Sequence, residues 1–139
     1  MTNAKNQIET VSKKRKISFK IITGIAIIGM LGGGASQLFR AEYQVQIFEQ
    51  LGFPLYVMSI TGLGKILGAI ILCIPKLPPI FKFSVYAGLF FVTSGAVISH
   101  IVQGEPVNAI PPFIVAGIAV AACLLNPNLK FAFQRPVSN

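Results

Sequence analysis

Four long apolar runs, separated by short polar stretches, dominate the hydropathy pattern of the chain. A helix of about twenty residues crosses a hydrocarbon core of about 30 Å. The fourth run is interrupted by "NPN" at residues 126–128, so its helix either continues past Asn126 or crosses a thin rim of the bilayer. The pattern predicts an all-α, polytopic four-helix bundle in a membrane, with spans at residues 17–39, 54–74, 83–102 and 111–131.

The segment between the first two runs is too polar to cross a membrane. Its apolar residues Tyr43, Val45 and Ile47 alternate as in a strand, but an unpaired strand at a membrane edge leaves its backbone polar groups unsatisfied. We therefore favour a short interfacial helix between spans 1 and 2, because one helical face would carry Ala41, Val45, Phe48 and Leu51.

The basic residues predict the orientation of these spans. Ten of the twelve lie in the N-terminal segment, in the loop with Lys76 and Lys82, or near the C-terminus. By the positive-inside rule both termini are cytoplasmic, as in a bacterial-type inner (plasma) membrane. We predict a basic cytoplasmic tail at residues 1–16 with an irregular start, a membrane domain at 17–133 and a C-terminal tail at 134–139. The net charge of +8 thus comes mainly from basic residues in the segments that flank the membrane spans, and nucleic acid is not an expected partner.

One alternative concerns the N-terminus. The tetrad "KKRK", an apolar core at residues 21–31 and the small residues "GGGAS" are also typical of a cleaved signal peptide. Cleavage there would leave three spans.

Lys65 lies eleven residues inside the second run, in the stretch "SITGLGKILGAIIL". The helical rise places it about 16 Å deep, near the bilayer midplane. Insertion of a lysine there costs about 2.5–3.5 kcal/mol, so a partner or a wet cavity is expected. An ionisable residue at this depth is a functional hypothesis by default, and the alternative is one buried pair that holds the helices together.

Other polar residues are predicted to share a cavity with Lys65. Thr61 lies on its helical face, Thr93 lies at a similar depth in the third run, and His100 lies within a turn of the outer surface. We predict a ligand-binding cavity that opens to the outside and whose mouth is closed by Gln37, Glu42 and Glu105. Glu42 would reach Lys65 only if the chain dips inward after the glycines at residues 32–34.

Small residues four apart allow two membrane helices to approach closely. This spacing and a small-residue face on the third run predict helix packing at Gly29, Gly33, Gly64, Gly68, Gly88 and Gly95.

Several chemical motifs are excluded. The pair Gly64–Lys65 does not belong to a phosphate-binding loop, because that motif requires a glycine at the position of Ser59 and a serine or threonine at the position of Ile66. Cys73 and Cys123 are far apart and are predicted to be buried apolar filler. One histidine with scattered carboxylates predicts neither a metal site nor a catalytic triad.

Four stretches, in order and spacing, resemble the DoxX-like family of small four-helix membrane proteins: "EQLGFPLY" from Glu49, "KILGAIILCIP" from Lys65, "KFSVYAGLFF" from Lys82 and "GAVISHIVQGE" from Gly95. The resemblance covers about residues 20 to 130. Where relatives often carry a tryptophan after Lys82, this chain has Ser84 or Val85. The resemblance implies a four-span bundle with both termini inside, and in some relatives a role beside membrane oxidoreductases that deliver electrons to quinone, or in assembly.

Three functions follow as hypotheses. The first is a binding or accessory component, not an enzyme on its own, whose cavity between Lys65 and His100 holds a lipophilic small molecule such as a quinone. The second is a subunit of a membrane oxidoreductase whose redox centres lie in a partner, since haem and iron–sulfur ligation motifs are not found. The third is a structural or assembly partner, or a homo-oligomer, that docks through its glycine faces.

Overall fold

The computed structural model describes residues 2–127 of the chain, with side chains described from residue 12 onwards. The described part contains five α-helices and one short 3-10 turn, and no strand. The helices are α1 at Thr2–Leu38, α2 at Glu42–Gln50, α3 at Leu55–Cys73, α4 at Pro79–Val102 and α5 at Ile110–Leu125, and the 3-10 turn at Pro106–Ala109 leads into α5. The predicted all-α fold is confirmed, and the strand alternative for the segment after α1 is wrong.

Four of these elements are long and apolar enough to cross a membrane. They are Ser12–Leu38, Leu55–Cys73, Pro79–Val102 and Pro106–Leu125. Many of their apolar side chains point away from the bundle: Ile28 is 73% exposed and Val102 is 77% exposed. Such a surface is compatible with lipid rather than with water, so the chain is an integral membrane protein.

Two boundaries differ from the sequence-based prediction. Helix α1 begins at Thr2, so the basic tail continues the helix of the first span and its expected irregular start is wrong. Helix α5 ends at Leu125, and the predicted continuation is not helical at Asn126 and Pro127. The rest of that predicted span and the predicted tail at 134–139 lie outside the described residues.

Prolines and glycines place most of the helix ends. Helix α3 ends before Ile74, and α5 before Asn126; both residues precede a proline, which disfavours the helical backbone conformation, and both have ψ near 115° (114° and 116°). Gly52 after α2 and Gly104 after α4 have φ values of +74° and +77°. In each case the next N–H reaches back to a carbonyl in the last turn of the helix, which is the Schellman arrangement.

The helices pack mainly as two pairs, α1 with α3 and α4 with α5. The tightest approach joins α1 to α3: a Cβ added at Gly34 would lie 2.9 Å from the carbonyl oxygen of Gly62, and one added at Gly62 would lie 3.0 Å from that of Gly34. The two pairs meet in the half of the bundle remote from α2. There the core consists of Met30, Ala69, Leu72, Tyr86, Leu89, Ala119 and Ala122.

Two polar contacts join the pairs in that half. The hydroxyls of Thr23 and Tyr86 lie 3.0 Å apart. Arg15 donates to the carbonyl oxygens of Leu124 at 2.7 Å and Leu125 at 3.3 Å, and so satisfies the C-terminal end of α5. Below we call the half of the bundle that includes α2 the α2 end.

Candidate functional site

A cavity of about 760 Å³ occupies the α2 end of the bundle. The four spans form its walls, and α2 covers it with Gln44, Ile47 and Phe48, together with Leu51 directly after the helix. The packed core closes the opposite end. A cavity of this size, largely apolar with a few polar groups, is typical of small-molecule sites.

Lys65 projects into this cavity and is held by Gln37. Its Nζ donates a hydrogen bond to Gln37 Oε1 at 3.1 Å. Gln37 is only 4% exposed, although it lies near the end of α1. The close approach of α1 and α3 at Gly34 and Gly62 brings the side chains of Gln37 and Lys65 together. The end of the Lys65 side chain lies against Gly33 of α1.

The orientation of the Gln37 amide is set from both sides. Thr61 Oγ1 lies 3.3 Å from the same Oε1, and the amide nitrogen donates to Gln44 Oε1 at 3.4 Å. A flipped amide would turn its own NH₂ group toward the lysine donors, so this orientation is the one the chemistry allows. The Thr61 hydroxyl also lies within 3.1 Å of two carbonyls on its own helix, so it offers little donor capacity to the cavity.

The predicted approach of Glu42 to Lys65 does not occur. Helix α1 stays helical through the glycines at residues 32–34, so the chain does not dip inward, and Glu42 is exposed on α2. Within the described residues no carboxylate lies within 4.0 Å of Lys65. Gln37, which was expected only at the mouth of the cavity, is the partner instead.

His100 and Thr93 line the wall that α4 contributes. Thr93 is 7% exposed, and its hydroxyl donates to the Leu89 carbonyl at 2.7 Å, so it adds little polarity to the cavity. His100 is also 7% exposed, and its Nδ1 is buried without a hydrogen-bond partner. Glu105 Oε2 lies 3.7 Å from that nitrogen and accepts a hydrogen bond from Asn108 at 3.0 Å.

The cavity therefore brings together five of the seven predicted site residues: Gln37, Thr61, Lys65, Thr93 and His100. Glu42 and Glu105 do not line it. The sequence reasoning missed Gln44 and Asn108, which both line it. Gln44 could have been found, because it shares a helical face with Ile47, Phe48 and Leu51 at spacings of three, four and seven.

Residues 21–122 match the DoxX-like family. The chain belongs to the DoxX-like family. The match contains all of α2, α3 and α4, the C-terminal half of α1 and most of α5, and thus every residue that lines the cavity. No curated protein and no solved structure was found to match the chain.

The glycines of this DoxX-like protein differ in their surroundings. A Cβ added at Gly68 would lie 2.5 Å from Met30 Cε, and one at Gly33 would lie 3.8 Å from Lys65 Nζ. At the other four predicted packing positions an added Cβ would meet nothing within 4 Å: Gly29, Gly64, Gly88 and Gly95. Spacing alone did not point to Gly34 and Gly62, which make the close contact between α1 and α3.

The cysteines of this DoxX-like protein lie away from the cavity. Cys123 is half-buried and packs against the core, as expected of apolar filler, whereas Cys73 is exposed, so that expectation is wrong at Cys73. Among the described residues no group of three or more His, Cys, Asp and Glu side chains is placed to hold a metal ion.

Proposed function

We propose that this DoxX-like protein is a membrane binding or accessory component whose cavity holds a lipophilic small molecule with an oxygen acceptor, such as a quinone. The observation that carries the proposal is Lys65, an amine donor in the wall of a large apolar cavity. The proposal assigns no redox chemistry to the chain itself. A membrane oxidoreductase is the proposed partner that would use the ligand.

The hydrogen-bond capacity of Lys65 supports a ligand. An ammonium has three N–H donors, and Gln37 accepts from one of them. The described part of the chain offers no second acceptor to Nζ. Since a lysine near the bilayer midplane costs about 2.5–3.5 kcal/mol to insert, a carbonyl oxygen of a bound molecule would offset a cost that the protein leaves uncompensated.

His100 supports the same cavity from the α2 end. Its imidazole is buried and lines the cavity, and its Nδ1 lies 3.7 Å from Glu105 Oε2 without a hydrogen bond. The cavity thus has an amine donor deep in the bundle, an imidazole near its mouth and apolar walls between them.

The proposed orientation places both termini in the cytoplasm of a cell with a bacterial-type plasma membrane, so the α2 end faces outward. The basic residues support this orientation: Lys13, Lys14, Lys16 and Lys76 are exposed at the end opposite α2. Glu42 and Glu49 are exposed on α2 itself. The difference follows the positive-inside rule.

The test is mass spectrometry of organic extracts from detergent-purified protein. Wild type is compared with Lys65→Met and with Lys76→Met, a control that removes an exposed lysine outside the cavity. We expect one lipophilic compound at a stoichiometric level in wild type and in Lys76→Met, and its loss in Lys65→Met. Bulk lipid alone in all three extracts, from folded protein, would refute the proposed ligand, and a co-purified flavoprotein or metalloprotein would favour the role of a subunit.

A further inference from the structure

We propose that the ligand of this cavity is an anionic amphiphile, a long-chain carboxylate whose head is bound by Lys65 and whose hydrocarbon chain lies along the apolar wall. This inference rests on the proposed function and narrows its ligand class. A neutral quinone satisfies a hydrogen-bond donor, whereas a carboxylate also neutralises the charge. Three features of the cavity favour the anion.

The first feature is the charge of the walls. Lys65 is the one lysine, arginine, aspartate or glutamate among the cavity-lining residues. Of the acidic side chains that the structure describes, Glu42 and Glu49 are exposed on α2, and Glu105 lies beside His100 and Asn108. A lone ammonium in a low-dielectric site is unfavourable unless an anion compensates it, and this protein does not provide that anion within 4.0 Å among its described residues.

The second feature is the choice of partner for the lysine. Gln37 accepts a hydrogen bond from Nζ as a glutamate would, but its amide adds no negative charge. Gln44 in turn holds the amide nitrogen, so the acceptor is fixed in place. Gln37 thus fixes the position of the lysine without neutralising a positive charge on it. An anion-binding site requires a donor that is held in place in this way and has no internal counter-ion.

The third feature is the shape of the apolar wall. It runs from Met30 and Leu89 beside the core to side chains that face lipid. Ile25 is 52% exposed, Val92 is 45% exposed and Phe91 is 71% exposed, although all three line the cavity. The cavity therefore reaches the lipid-facing surface, and a hydrocarbon chain longer than the cavity can continue into the bilayer.

The test uses cis-parinaric acid, a polyene carboxylate whose fluorescence rises in an apolar site, and its methyl ester. The ester has the same chain but no charge, and the affinity of each probe is corrected for its partition into protein-free detergent micelles. We expect wild-type protein to bind the acid about tenfold to a hundredfold more tightly than the ester, the range that corresponds to one hydrogen bond between charged groups. A decyl-substituted benzoquinone should displace the acid only weakly.

Two variants assign the effect to the lysine. Lys65→Met should bind acid and ester with equal affinity. Gln37→Glu keeps an acceptor for Nζ but supplies an internal carboxylate, so it should lose the preference for the acid while it still binds the ester. This second variant keeps the test informative if Lys65→Met does not fold, and far-UV circular dichroism of each variant monitors folding.

The outcomes separate this inference from the proposed function. Equal binding of acid and ester by wild type, or tighter binding of the benzoquinone, would overturn the anionic ligand and leave the lipophilic site in place. Retention of the acid preference in Gln37→Glu would also overturn it, because the site would then not depend on an uncompensated lysine. Binding of none of the three probes by folded wild-type protein would remove the proposed function as well.

Discussion

The contact between Gly34 and Gly62 gives the most direct test of how the bundle positions its lysine. Substitution Gly62→Ala adds one methyl group on the face of α3 that meets α1. The new Cβ would lie 3.0 Å from the Gly34 carbonyl oxygen, 3.0 Å from Gln37 Cβ and 3.2 Å from Leu38 Cγ. Because an ordinary contact begins near 3.4 Å, α1 and α3 must separate by about 0.4 Å along this line.

The expected cost follows from the kind of atoms involved. The Gly34 oxygen belongs to the backbone, so it cannot rotate away as the end of a flexible side chain could. Overpacking of this type destabilises a folded protein by about 1–3 kcal/mol. Replacement of a helical glycine by alanine also stabilises a helix by up to about 1 kcal/mol, which partly masks the clash.

Gly64→Ala is the matched control, since it lies two residues away in α3 and an added Cβ there meets nothing within 4 Å. It has the same gain in helix propensity without the clash. The free energies of unfolding should be measured by titration from mild detergent into sodium dodecyl sulfate, followed by far-UV circular dichroism. We expect Gly62→Ala to be less stable than Gly64→Ala by about 1–3 kcal/mol.

The same comparison reports on the site. A shift of α1 away from α3 should lengthen the hydrogen bond from Lys65 to Gln37, so Gly62→Ala should also weaken ligand binding, and Gly64→Ala should not. Equal stability of the two variants would refute the close packing of α1 on α3 and with it our account of how the lysine is held.

Three further predictions concern the rest of the bundle. Tyr86→Phe removes the hydroxyl that lies 3.0 Å from Thr23 and should cost about 0.5–1.5 kcal/mol in the same titration; no change would show that the contact adds nothing to stability. Arg15→Met removes the donor to two carbonyl oxygens at the end of α5 and should cost about 0.5–1.5 kcal/mol, detectable as faster hydrogen exchange near that end, and unchanged exchange would contradict the capping role. In a background without the two native cysteines, Val107→Cys should react with a membrane-impermeant maleimide added outside intact cells, and Lys76→Cys should react only after lysis; the reverse pattern would overturn the proposed orientation.

Local chemistry is the reason that much of this architecture can be derived from the amino-acid sequence. The hydrocarbon core of a bilayer has a nearly constant thickness, so the four spans can be recognised by counting apolar residues, and the same count gives the predicted depth of Lys65. Prolines after Ile74 and Asn126 end helices through a steric effect that acts between neighbours. The short helix α2 could be told from a strand because lipid leaves no partner for an isolated strand.

The cavity as a whole could also be predicted from the sequence, because polar residues in membrane spans face the interior of the bundle rather than lipid. Thr61, Lys65, Thr93 and His100 were predicted to share one cavity, and all four line the cavity in the structure. The pattern could not assign the partner of Lys65. Glu42 and Gln37 were both available in the sequence, and the choice depends on whether α1 stays helical past its three glycines.

The tertiary structure alone decided which glycines make contact. The sequence has several pairs of small residues four apart, and each is equally able to admit another helix. Gly34 and Gly62, which make the close contact, belong to no such pair. Their contact depends on the rotation and vertical register of α1 against α3, and these are set by every contact along the two helices at once. Polar residues show which face of a span turns inward, but lipid solvates one apolar face of a helix about as well as another, so hydropathy does not give the contact between α1 and α3. The place of Gly34 against Gly62, and of Gln37 against Lys65, follows only from how the helices pack.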